Sequence, residues 1–195
     1  MRKLILVKHS LPEIFPSVEA SQWQLSPDGR RRCAPLASLL AVHEPGPIIA
    51  SREPKAAETA GIIATLLGRS YEVAEGLHEH DRTGVAWLGA AEFEARVAAF
   101  FAHPDELVFG QETASAAWRR FNQAIEQLLQ RYPVGNPVVV THGTVISLFV
   151  AQAACIDGFA LWKRLGLPSF VVLALPGFQL IRVDEQEEQD QGPST

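Results

Sequence analysis

The chain has 195 residues, of which 47% are hydrophobic and 20% charged, so it carries enough apolar side chains for the core of one globular domain. Its formal net charge of -5 argues against a nucleic-acid partner or an anionic membrane surface, because both are bound through a basic face. No stretch is long and apolar enough to span a membrane, and the apolar run near Met1 is too short for a signal peptide.

The two cysteines predict a reduced, cytoplasmic protein. Cys33 and Cys155 both fall in apolar, helix-like stretches. A chain of this size does not need a disulfide for stability, so we expect both to be reduced thiols in the core.

The first half of the chain predicts strands that alternate with helices. The run Leu4–Val7 is continuously apolar, as expected for a strand buried on both faces of a sheet. Ser26 followed by Pro27 predicts the start of a helix. A second strand is predicted at Pro47–Ser51, and a second helix begins at Pro54.

The middle of the chain predicts a short strand, a loop and two helices before the next buried strand. Ser70–Ala74 alternates weakly as a strand, whereas Glu75–Gly89 is polar and irregular, as loops that carry sites usually are. Helices are predicted at Ala91–Ala102 and at about Glu112–Arg131, and Val138–Val140 predicts another doubly buried strand.

The last third completes the predicted fold. After an apolar helix that ends near Ala154, Phe170–Leu175 and Phe178–Val183 predict a hairpin that adds an antiparallel edge strand. Residues 1–183 are thus predicted to form a single α/β domain, a three-layer α/β/α sandwich with a mostly parallel sheet. Residues 184–195 have almost no apolar side chains and predict a disordered acidic tail.

Two histidines follow predicted strands, where ligands bind in open α/β sheets. His9 follows the first strand, and His142 follows Val138–Val140. A neutral imidazole is a good nucleophile for phosphorus when its far nitrogen donates to a carbonyl that fixes the tautomer, and a second, cationic imidazole can hold phosphoryl oxygens. The pair predicts a phosphoryl-transfer site.

Two lysines lie next to these strand ends. Lys8 precedes His9, and Lys55 falls in the first turn of the helix after the second strand. Lysine binds phosphate as a point charge, so both are candidate phosphate ligands.

Taken together and in this order, the motifs resemble those of the histidine phosphatase superfamily, which includes the cofactor-dependent phosphoglycerate mutases. The resemblance runs from Leu4 to about Val183. Lys8-His9-Ser10 is similar to the family's Arg-His-Gly, and Ser51 to Ala60 is similar to its Ser-Pro-Leu-x-Arg-Ala-x-Gln/Glu-Thr-Ala; Leu77-His78-Glu79 is similar to Leu-x-Glu, and Thr141-His142-Gly143 to the second histidine motif.

The resemblance implies a role for each matched residue. His9 would accept the phosphoryl group, and Glu79 would protonate the leaving oxygen and later deprotonate water. Lys8, Lys55 and His142 would bind the phosphoryl oxygens. Both phosphate-binding arginines of the family are lysines here, so Arg52 is a further candidate ligand that could restore a guanidinium.

The acid remains open among three carboxylates at this stage. Glu79 fits the Leu-x-Glu pattern, while Asp81 and Glu75 are alternatives in the same loop. A site near an anion is expected to raise the pKa of such a carboxyl group.

The function predicted from the sequence is that of a metal-independent phosphatase that acts on a small-molecule phosphate ester without a cofactor. Larger mutases of the family carry longer cap segments than Gly84 to Gly110 could provide, so hydrolysis is favoured over phosphoryl return. A mutase and a phospho-ligand-binding member with little turnover are the alternatives. A metal hydrolase is a third, because His78-Glu79-His80-Asp81 contains metal-ligating side chains.

Overall fold

The computed structural model describes residues 1–185 of the chain. Of the predicted tail, 184–195, residues 186–195 lie outside the described part of the chain. Asp184 is not part of a tail, because it is a buried residue at the end of the last strand.

The order of strands and helices follows the sequence prediction. The strands are β1 (Lys3–Lys8), β2 (Pro45–Ala50), β3 (Tyr71–Val73), β4 (Asn136–Thr141), β5 (Ser169–Ala174) and β6 (Gln179–Asp184). The helices are α1 (Pro27–Ala41), α2 (Pro54–Leu66), α3 (Ala90–Ala102), α4 (Ala114–Arg131), α5 (Gly143–Ala154) and α6 (Gly158–Arg164), with a 3-10 turn at Ala20–Gln22. The 3-10 turn and α6 were not predicted.

The strands form one six-stranded sheet in the order β3-β2-β4-β1-β5-β6. Strands β3, β2, β4 and β1 run parallel to one another, and β5 is antiparallel to both β1 and β6. The predicted mostly parallel sheet and its closing hairpin are confirmed, with the antiparallel strand β5 one position in from the edge strand β6.

Strand β1 shows why its residues are apolar without interruption. Leu4 and Leu6 pack in the same cluster as residues of α4 and α5, whereas Ile5 and Val7 pack with residues of α1 and α2. Because alternate side chains of a strand point to opposite faces, both faces of the sheet are covered by helices. This is the predicted three-layer sandwich.

The carboxyl ends of β1, β4 and β2 are adjacent. The register pairs Val7 with Val140 and Ala50 with Val140. Beyond the strands, the backbone N–H of His9 donates to Thr141 O at 2.9 Å, and the N–H of Ser51 donates to Val140 O at 2.9 Å. The sheet therefore brings His9, Ser51 and the residue after Thr141 to one edge.

The two cysteines differ in their surroundings. Both are free thiols. Cys33 is buried in α1 as expected, but the prediction of a core position is wrong for Cys155, which is exposed and ends α5 in a left-handed conformation with φ 54°. Among the residues that the structure describes, no helix could cross a membrane.

Candidate active site

His9 is held in the tautomer that a nucleophile needs. Its Nδ1 lies 2.8 Å from Ser10 O, and only an N–H at Nδ1 can donate to that carbonyl. The lone pair is then on Nε2. Ser10 is itself fixed, because its hydroxyl donates to Gly29 O at 2.7 Å and its N–H donates to Thr59 Oγ1 at 3.0 Å.

His142 lies beside His9 at the end of β4. The two ring centroids are 5.2 Å apart at an interplanar angle of 62°. Nε2 of His142 lies 2.8 Å from Ser51 Oγ and 3.5 Å from Glu53 Oε1. Its Nδ1 is buried and has no hydrogen-bond partner within residues 1–185.

Both imidazoles are neutral in the unliganded protein. Burial lowers the pKa of His9 well below 6.5, and the neighbouring His142 and Lys55 lower it further. Burial and Lys55 also hold the pKa of His142 well below 6.5. A neutral His9 suits nucleophilic attack, whereas a cationic His142 concerns the state with a phosphoryl group bound and stays a prediction.

Lys55 points into the site and not into solvent. It is only 3% exposed, and its Nζ donates to Ala20 O at 2.7 Å and forms an ion pair with Glu53. Burial lowers the pKa of Lys55, and the Glu53 carboxylate partly opposes that shift. The 3-10 turn thus contacts the site through Ala20.

Glu53 was missed by the sequence prediction. It is buried, and its Oε1 accepts from the backbone N–H of Glu79 at 2.8 Å, while its Oε2 pairs with Lys55. An acidic residue two positions before Lys55, at the end of a strand, was the only signal. The site therefore contains a carboxylate among its cations.

Glu79 is fixed by backbone N–H groups from two directions. Its Oε1 accepts from His80 N at 2.9 Å, and its Oε2 accepts from Thr144 N, in the first turn of α5, at 3.2 Å. The hydroxyl of Thr141 donates to Leu77 O at 2.6 Å and so ties this loop to the end of β4. Glu79 is therefore brought to the same edge as the histidines.

The pKa of Glu79 is lowered in the unliganded protein. Burial raises the pKa, but the charges of Arg82 and His142 and the N–H of His80 lower it, and the net pKa lies below 4.5. The predicted rise of this pKa depends on a bound anion and stays a prediction; without an anion, the charge of Arg82, a residue outside the predicted set, helps to lower the pKa. Glu79 is ionised at neutral pH.

Arg82 is the second residue, after Glu53, that the sequence prediction missed. Its guanidinium carbon lies 5.0 Å from the ring centroid of Phe93, and its charge lowers the pKa values of Glu79, Lys55 and His142. It lies three residues after Glu79 in the loop predicted to carry the site, but no motif marked it there. Arg82 is close enough for its charge to act on three residues of the site.

Arg52 and the two alternative acids lie elsewhere. Arg52 is 60% exposed and pairs at 3.1 Å with Glu75, which is 78% exposed, so the structure does not bring either to the site. Asp81 accepts from Thr83 N at 2.9 Å within its own turn. Of the three carboxylates considered, Glu79 is the one beside the histidines.

The side chain of Lys8 lies next to Gly143, in the second histidine motif. Its Nζ donates to Leu165 O at 2.6 Å, and its Cε lies 3.1 Å from where a Cβ on Gly143 would stand. Burial lowers the pKa of Lys8 to about 8, and Glu79 opposes the shift. Gly143 leaves the room that this lysine occupies.

The histidines that flank Glu79 do not form a metal site with it. The ring of His80 packs on Phe100 at 4.1 Å, and its Nε2 contacts Glu112 O at 3.1 Å. Within residues 1–185, no group of three or more His, Cys, Asp and Glu side chains is placed to hold a metal ion. The metal-hydrolase alternative has no ligand set in this part of the chain.

The fold and the site together define a class of α/β protein in which two buried histidines at neighbouring strand ends meet a carboxylate and several cations. The sequence profile of the histidine phosphatase superfamily (branch 1) matches residues 14–175, and the chain belongs to that superfamily. The matched range begins after His9, so the role of His9 depends on its geometry. None of the curated proteins matches this sequence.

Solved structures share the fold over nearly the whole chain. The mycobacterial glucosyl-3-phosphoglycerate phosphatase is 19% identical, with a TM-score of 0.75 over 94% of this chain and 97% of that chain. Phosphoserine phosphatase from Entamoeba histolytica, in complex with 3-phosphoglyceric acid, is 18% identical, with a TM-score of 0.76 over 96% and 98%. Bacillus stearothermophilus YhfR is 21% identical, with a TM-score of 0.72 over 95% and 96%.

Proposed function

We propose that this protein is a metal-independent phosphomonoesterase that hydrolyses a small-molecule phosphate ester through a phosphohistidine on His9. The observation that carries the proposal is the bond from His9 Nδ1 to Ser10 O, which leaves the lone pair on Nε2, next to a second buried imidazole and to Glu79. The free thiols of Cys33 and Cys155 agree with a cytoplasmic location.

The first step transfers the phosphoryl group to the protein. Lys55 and His142 hold the phosphoryl oxygens, the positive charges of Lys8 and Arg82 add to the attraction, and Nε2 of His9 attacks phosphorus as the ester P–O bond breaks. A bound phosphoryl dianion beside Glu79 raises the pKa of that carboxyl group, so that it takes up a proton and passes it to the departing oxygen.

The second step releases phosphate. Glu79, again a carboxylate, takes a proton from water, and the water oxygen attacks the phosphohistidine as the P–N bond breaks. Nε2 of His9 regains its lone pair. Glu79 passes its proton to the departing phosphate and is a carboxylate again. The same carboxylate therefore serves as acid and then as base.

A test of the proposal is hydrolysis of a panel of aryl and alkyl phosphates, with and without a chelator. We expect release of inorganic phosphate that the chelator leaves unchanged. Loss of turnover with the chelator would contradict a metal-independent mechanism. Binding of phosphate esters without any turnover would instead favour a phospho-ligand-binding protein.

Activity is expected to fall on the alkaline side of pH 8, because the pKa of Lys8 is lowered to about 8. Lysine carries its charge below its pKa, so attraction for the phosphoryl group is present below about pH 8 and is lost above it. For one ionisation, kcat/KM falls by at most about tenfold for each further pH unit and levels off once Lys8 is neutral. A pH profile of kcat/KM measures this limb.

Lys8→Arg tests the assignment, because arginine stays charged through this range. The variant should move the alkaline limb to higher pH, and the exposed replacement Lys163→Arg should not. An alkaline limb that is the same in all three proteins would show that Lys8 does not set it.

A further inference from the structure

We propose that Glu53 is an affinity-determining residue, an internal anion that pairs with Lys55 beside the other donors to the phosphoryl group and thereby weakens phosphate binding. The inference rests on the proposed function only in taking the phosphoryl group as the ligand. It concerns a residue with no part in the two chemical steps.

The contacts of Glu53 are those that a phosphoryl oxygen would make. One carboxylate oxygen pairs with Lys55 Nζ, and the other lies 3.5 Å from His142 Nε2 and accepts from the N–H of Glu79 at 2.8 Å. Lysine, imidazole and backbone N–H are the donors that proteins use to bind phosphate. In the unliganded protein, Glu53 occupies two of these donors, Lys55 Nζ and the N–H of Glu79, and lies close to the third.

Burial strengthens the electrostatic interactions of Glu53 with Lys55 and with an incoming anion. The side chains of Glu53 and Lys55 are 8% and 4% exposed, so water screens little of their interaction or of the repulsion between Glu53 and an incoming anion. Glu79 is a second buried carboxylate, and the charge of Glu53 acts on it to raise its pKa. A phosphate dianion therefore enters beside two negative charges.

Two routes are open to the ligand, and both lower its affinity. In one, Glu53 leaves Lys55, and a buried carboxylate loses its ion-pair partner. In the other, Glu53 stays and repels the phosphoryl oxygens. Because inorganic phosphate is also the product, a weak hold on it favours its release after each turnover.

The test is the affinity for inorganic phosphate, measured by isothermal titration calorimetry on the full chain. Glu53→Gln keeps the shape and removes the charge, and we expect it to bind phosphate about tenfold more tightly or better. Glu53→Asp keeps the charge and should stay within about twofold of wild type. Glu92→Gln, an exposed replacement on α3, is the matched control and should change nothing.

A double-mutant cycle separates the two routes. If the phosphoryl group displaces Glu53 from Lys55, then Lys55→Met costs more phosphate affinity in the Glu53→Gln background than in wild type, and if Glu53 stays and repels the ligand, the loss is equal in both backgrounds. Should Glu53→Gln fail to fold, Glu53→Met takes its place in the cycle. Folding of each variant is checked by its thermal unfolding.

The outcomes are distinct from those of the proposed function, because no turnover is needed. Tighter phosphate binding by the Gln variant supports the inference even if the wild-type protein hydrolyses nothing. Equal or weaker binding by a folded Gln variant overturns it. Catalysis by the wild type with unchanged affinity in Glu53→Gln would overturn this inference alone.

Discussion

Replacing His9 with alanine is expected to lower kcat/KM for an aryl phosphate by about 10³-fold or more, because the variant has no atom to accept the phosphoryl group. The residual rate would come from binding and electrostatics alone. Steady-state kinetics on the purified wild-type and variant proteins measure the loss. The pKa of His9, held well below 6.5 by burial, keeps the nucleophile neutral into mildly acidic solution.

Trapping the intermediate gives a second measurement of the same prediction. A phosphohistidine is a P–N bond, so wild-type protein quenched in alkali after mixing with labelled substrate should retain label that acid releases, and the alanine variant should retain none. His103→Ala is the matched control, since His103 is exposed and lies in a surface pair with Glu106. Turnover or labelling that survives in the His9 variant would rule out the proposed intermediate.

The strands and long helices could be predicted because each has a local cause in the sequence. Strand β1 is apolar throughout because helices cover both faces of the sheet, and helix α1 begins where Ser26 can accept from the N–H of Gly29, at 2.9 Å. Helix α6 and the 3-10 turn were missed. They span seven and three residues, too few for a periodic pattern to show.

The placement of His9 and His142 at one edge also followed from the sequence, because parallel strands bring their carboxyl ends together. The charged side chains around the two histidines could not be predicted in the same way. Arg52 lies two residues before Pro54 and seemed able to reach the site, but it pairs with Glu75 at the surface, while the charge of Arg82, in the same loop as Glu79, acts on the site. Which charged side chains meet depends on contacts between segments far apart in the chain, and a single sequence does not record these.

The pKa of Glu79 shows the functional consequence of such contacts. Burial alone would raise the pKa of this carboxyl group, but Arg82, His142 and the N–H of His80 together outweigh burial and lower it. The unliganded protein thus holds Glu79 ready as a base. Its role as an acid depends on the charge that the substrate brings.

Glu79→Gln should therefore affect substrates according to their leaving groups. For an alkyl phosphate, whose leaving oxygen needs a proton, we expect kcat to fall by about 10²- to 10⁴-fold. A nitrophenolate leaves without a proton, so phosphorylation of His9 by an aryl phosphate should be affected much less. Kinetics on a series of esters with leaving groups of increasing pKa measure the difference as a steeper dependence in the variant.

The second step of the reaction makes the prediction sharper. Without a carboxylate to take a proton from water, phosphohistidine on the Glu79→Gln protein should break down slowly, so an aryl phosphate should give a burst of phenolate and labelled protein should accumulate. Glu75→Gln, the exposed neighbour that pairs with Arg52, is the matched control and should behave as wild type. An equal loss for aryl and alkyl esters, with no accumulated label, would mean that Glu79 only holds the loop through its bonds to the N–H groups of His80 and Thr144.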